Sequence, residues 1–136
     1  MDRQVINQKL ESLRRCIARL ESRCPDDAKT LATDLDAQDI VSLNLTRAVQ
    51  ICVDIAAHWI AEHGDVTAPV TMGQTFDVLA QAGIISPQLA TNMRKSVGFR
   101  NIVVHNYENV NWDMVFSICK NRLDDFRQFA EVFIEK

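Results

Sequence analysis

Arg100, His105 and Tyr107 fall within eight residues and hold the most chemically capable side chains of this 136-residue chain. Arginine offers a permanent charge on a planar fork that matches phosphate. Histidine titrates near neutrality, and tyrosine brings a hydroxyl and a stacking face. The set suits phosphodiester chemistry without a metal. Its surroundings break local rules. Ile102-Val103-Val104 is a β-branched run, mildly disfavoured in a helix because χ1 is pinned against the preceding turn. Asn106, Asn109 and Asn111 follow in a segment that resembles a turn. Such local inconsistency marks places where a chain does chemistry.

Spacing qualifies this expectation. Residues five apart lie about 140° around an ideal helix at roughly 100° per residue. Arg100 and His105 therefore face one ligand only if the helix ends or distorts between them, or if a second copy of the chain completes the site. The plain alternative is that Arg100 pairs with an acid and His105 caps a helix end.

The elements that would position these residues are helical. Ile6, Leu10, Leu13, Ile17, Leu20 and Cys24 alternate steps of four and three, the seam of a bundle helix that Pro25 must end. Ala28 to Leu35 reads as weakly helical at best. A second helix is expected from about Gln38 to His63, with Val41, Leu45, Ala48, Cys52, Ile55 and Trp59 inward and Asn44, Arg47, Asp54 and His58 as its polar line. Gly64 is its expected cap. Met72, Phe76 and Leu79 mark a short third helix. Ser86-Pro87 starts a fourth, with Ser as cap and Pro in the first turn. Asn111 caps one long last helix with Val115, Cys119, Leu123, Phe126, Ala130 and Phe133 inward. The sum is an all-α fold, an up-and-down bundle of four to five helices in a single domain over residues 1–136.

Composition limits the function. A net charge of −3 argues against broad, charge-driven nucleic-acid binding. Arg94, Lys95 and Arg100 are the expected source of a local positive pocket. Cys16, Cys24, Cys52 and Cys119 lack C-x-x-C spacing and read as reduced residues. His58 and His63 are five apart rather than the four that aligns two ligands on a helix, so no metal site is expected. Trp112 is placed to stack a base or to pack at a helix start. There is no run of about 18 or more apolar residues and no signal-peptide pattern. A cytoplasmic, membrane-free location is the expectation.

The Arg100-x4-His105-x-Tyr107 pattern, with this helix order and length, resembles the R-x(4-6)-H motif of the HEPN superfamily and its HepT branch. The resemblance implies a toxin ribonuclease encoded beside a minimal nucleotidyltransferase antitoxin. It also implies a two-fold dimer with the motif at the interface, and no cofactor. Metal-independent cleavage would proceed by attack of the RNA 2′-hydroxyl on the neighbouring phosphate. His105 would move protons and Arg100 would stabilise the phosphorane charge. Tyr107 would receive AMP from the antitoxin within a hetero-oligomer, silencing the site. Asn44, Asp54 and Asn106 would be supporting residues, Asn44 and Asp54 being explained equally by a solvated helix face. The alternative is a non-catalytic helical binding or regulatory subunit of the nucleotidyltransferase.

Overall fold

The computed structural model describes residues 2–64, 66 and 68–134. Among them there are helices and turns and no strand. The long α1 (Arg3–Arg23) is capped at its start by the Asp2 carboxylate, which accepts from the Gln4 and Val5 amides. It ends at Cys24, before Pro25. A short α2 (Ala28–Thr33) forms where the sequence suggests only weak helicity. Three interactions stabilise it. The Asp27 side chain accepts from Thr30 N at 2.7 Å, and Leu31 is fully buried. Gln38 Nε2 donates to Leu31 O at 3.0 Å, meeting a carbonyl that a helix end leaves open.

Asp34 caps the central α3 (Leu35–Ala61), its carboxylate accepting from Ala37 N. Val41, Leu45, Val49, Cys52, Ile55 and Ala56 are buried on several sides because α1 packs along α3 and later helices cover the rest. By length and composition alone α3 could cross a membrane. The same apolar width follows from burial at the centre of a bundle. Glu62, in right-handed helical geometry, is the C-cap, and Gly64 does not adopt positive φ, so the expected glycine cap is absent.

Thr71 caps α4 (Met72–Gln81), and Gly83 (φ 78°) makes the left-handed turn after it, a conformation costly for other residues. Ser86 caps α5 (Pro87–His105) by accepting from Leu89 N. A 3₁₀ turn (Tyr107–Asn109) leads to α6 (Trp112–Asn121), capped by Asn111 as expected. The expected single last helix is broken. Arg122 leaves helical geometry (φ −122°, ψ 2°) and α7 (Leu123–Ile134) begins at once. The break lets Val115 and Cys119 face inward on α6 while Phe126, Phe129 and Phe133 do so on α7. Seven α-helices among the described residues thus replace the expected four to five. A segment of weak propensity is held helical by its cap and its buried leucine, and one long apolar stripe is two helices.

The core is aromatic at one end. Phe76 meets Phe129 edge-on at 5.6 Å, and Phe129 lies 4.9 Å from Phe133. Each buried ring of this kind contributes about 1.5–3 kcal/mol. This packing ties α4 to α7, and α5 packs in turn against α4, α3 and α7, which fixes what α5 presents at its end.

Candidate functional site

The β-branched run does not break α5. The helix continues through Ile102, Val103 and Val104 to His105, and Asn106 N donates to Ile102 O at 2.8 Å as its cap. Helix interior here costs only a few tenths of a kcal/mol per β-branched residue, less than the backbone bonds that a break would forfeit. The expected convergence of Arg100 and His105 by helix distortion is therefore not found. The two residues diverge on one regular helix.

Arg100 turns onto α3. Its Nη2 donates to Gln50 Oε1 at 3.3 Å and its Nη1 to Asn101 Oδ1 at 3.1 Å. Both acceptors are neutral amides, and the buried Nε has no partner. The plain alternative of an acid partner is not what the geometry shows: no carboxylate neutralises this guanidinium among the described residues. An unmet buried donor costs about 1–3 kcal/mol. His105, on the last turn, is exposed.

Tyr107 lies on the 3₁₀ turn, 40% exposed, with its ring edge-on to Trp112 at 5.7 Å. Its hydroxyl donates to Asp39 Oδ1 at 3.3 Å. Partial burial of the phenol raises its pKa above the ordinary tyrosine value. The Asp39 charge and hydrogen bond push the same way, while the buried Ser42 hydroxyl beside it pulls down. Trp112 therefore packs on Tyr107. Tyr107 and Arg100 dock on α3 at Asp39 and Gln50, eleven residues or about 16 Å apart along the helix.

The supporting residues scatter. Asn44 is buried, its Nδ2 donating to Ile40 O of its own helix at 2.8 Å. Asp54 accepts from Gln50 Nε2 at 3.0 Å and pairs with Lys9 at 3.7 Å, so it reaches Arg100 only through Gln50. Asn106 is exposed, and its carbonyl accepts from Asn109 N. The expected pocket of Arg94, Lys95 and Arg100 does not form. Arg94 pairs with Asp77 at 3.3 Å, and Lys95 lines a separate hollow with Asp125. Gln50, Asp39 and Ser42 join the site without having been expected there. Gln50 continues the polar line between Arg47 and Asp54, a signal that the sequence carried.

His63 Nδ1 lies 2.7 Å from Trp59 O, with its ring stacked on Trp59. Among the described residues no group of three or more His, Cys, Asp and Glu converges as metal ligands would. The four cysteines are free and buried, and burial pushes their thiols up, away from the reactive thiolate.

Residues 13–133 match the family model described as "Ribonuclease HepT-like". The chain is 37% identical over 128 residues to the mRNA nuclease HepT of Shewanella oneidensis, covering 94% of this chain and 95% of that one. A solved tri-AMPylated Shewanella oneidensis HEPN toxin, in complex with an MNT antitoxin, superimposes with a TM-score of 0.90 at 34% identity. It covers 100% of this chain and 99% of the other. A toxin–antitoxin structure with AMP-PNP gives a TM-score of 0.89 at 34% identity, covering 98% and 99%.

Proposed function

Because the chain belongs to the HepT-like ribonuclease family, we propose that Arg100 and His105 are its catalytic pair and that Tyr107 is where a partner silences it. The protein is an endoribonuclease, the toxin of a HEPN/MNT toxin–antitoxin pair, with the nucleotidyltransferase antitoxin as its partner. All of residues 1–136 act as one HEPN-like domain in the cytoplasm.

One observation carries the site assignment. Arg100 is held by two neutral amides, with a buried Nε left open. A guanidinium kept unpaired in this way has its charge available for an anion, and the scissile phosphate is that anion. His105 moves the proton between the 2′-hydroxyl, the phosphate and the leaving oxygen. Since the two side chains diverge on α5, the working site joins Arg100 of one protomer to His105 of its partner about a two-fold axis. The exposed Ile102 and Val104 within the motif are the apolar surface such a dimer covers.

AMP on the Tyr107 hydroxyl adds anionic phosphate beside His105 and a nucleotide where substrate would lie, blocking by occupancy and like charge. Asp39 holds the acceptor hydroxyl in place for transfer.

Mixing two inactive variants tests the shared site. Arg100→Ala and His105→Ala chains, unfolded and refolded together, form half heterodimers, each with one intact Arg–His pairing. About a quarter of wild-type cleavage should return. No recovery, with heterodimers demonstrated by mass, rules out pairing across protomers. Cleavage by a strict monomer does the same.

A further inference from the structure

An acidic chain should not bind RNA by general charge, yet its cations are unevenly placed. A groove of about 1100 Å³ between α1 and α3 is lined by Lys9, Arg14, Arg15, Arg19 and Arg47, and by no carboxylate. Three of these cations are partly engaged. Lys9 pairs with Asp54 at 3.7 Å, and Arg14 and Arg15 share Glu11 at 2.6 and 3.6 Å. The side chains of Arg19 and Arg47 have no hydrogen-bond or ion-pair partner among the described residues. The lining includes no aromatic side chain, so the groove cannot stack bases.

The groove connects to the site. Gln50 lines it and also accepts from Arg100 Nη2. The lining on α3 runs from Ile40 to Ile51, about 16 Å at 1.5 Å per residue. At about 3.4 Å per phosphate of a stacked strand, that spans about five nucleotides.

We propose that this groove carries the sugar–phosphate backbone of the RNA strand leading to Arg100, with Arg19 and Arg47 as its principal phosphate contacts. The inference rests on the nuclease function stated above. It makes binding charge-driven and tolerant of sequence on this side, because phosphate contacts position a strand without reading it.

The test uses His105→Ala protein, which does not cut, and a fluorescent single-stranded RNA titrated over a range of salt. Adding Arg19→Gln and Arg47→Gln should weaken binding by on the order of tenfold or more at low salt. The slope of log K against log salt should become shallower by about 1.4, at about 0.7 for each phosphate no longer neutralised. Arg23→Gln, on the same helix outside the groove, should change neither. If the double variant behaves like Arg23→Gln, the groove is not the path. If sedimentation shows that it dissociates into monomers and releases RNA only for that reason, the groove is an interface between copies and the inference fails. Cleavage by otherwise unaltered protein is measured separately: RNA cutting with no groove effect refutes the path alone, whereas no cutting refutes the function on which it rests.

Discussion

His105→Ala separates catalysis from folding. The imidazole is exposed on the last turn of α5. Losing a general acid or base costs about 10²–10⁴-fold in rate. An exposed side chain there forfeits little packing, and a surface substitution of this kind usually changes stability by no more than about 0.5 kcal/mol, so Tm should stay nearly unchanged. Phe126→Ala is the contrast: the ring is fully buried, and its removal costs about 3–5 kcal/mol. Cleavage of a dye–quencher RNA and circular-dichroism melts of both variants give the comparison at mildly alkaline pH. The reasoning fails if His105→Ala still cuts at the wild-type rate. It fails equally if its activity is lost together with a drop in Tm like that of Phe126→Ala.

Arg100→Leu should abolish cleavage, about 10²–10³-fold or more, yet leave Tm unchanged or raised, since it removes a buried unmet donor; a large fall in Tm would show Arg100 to be structural. Tyr107→Phe keeps the ring on Trp112 and should stay active while escaping modification, so intact-mass analysis after co-expression with the nucleotidyltransferase should show no added AMP. Tyr107 is the only tyrosine, so phenolate absorbance reports it alone. Its titration should lie above the ordinary value and move down in Asp39→Asn. A phenol with raised pKa contributes stability that is complete below the unfolded value and lost as pH rises through the folded one, so wild type should weaken at strongly alkaline pH more than Asp39→Asn. Sedimentation at micromolar concentration should give about twice the 15.4 kDa chain mass, and a monomer that cuts RNA would remove the shared site.

What the sequence determined by itself is what depends on neighbours along the chain. Helix starts at Ser86 and Asn111, the turn after His105 and the inward stripes of α1 and α3 follow from caps, turn chemistry and the 3.6-residue period. The Arg100-x4-His105-x-Tyr107 motif was legible because residue types and spacing carry it, whereas the arrangement of its side chains in space was not. Tertiary structure decided the rest. Asp27 and a buried Leu31 made a helix of a segment whose propensity is weak, and the break at Arg122 depended on where three phenylalanines had to point. The β-branched run stayed helical because its backbone bonds outweigh a small local preference. Above all, Arg100 met Gln50, fifty residues away, and Tyr107 met Asp39, sixty-eight away. Contacts at that separation are set by how α5 docks on α3, which no local pattern encodes.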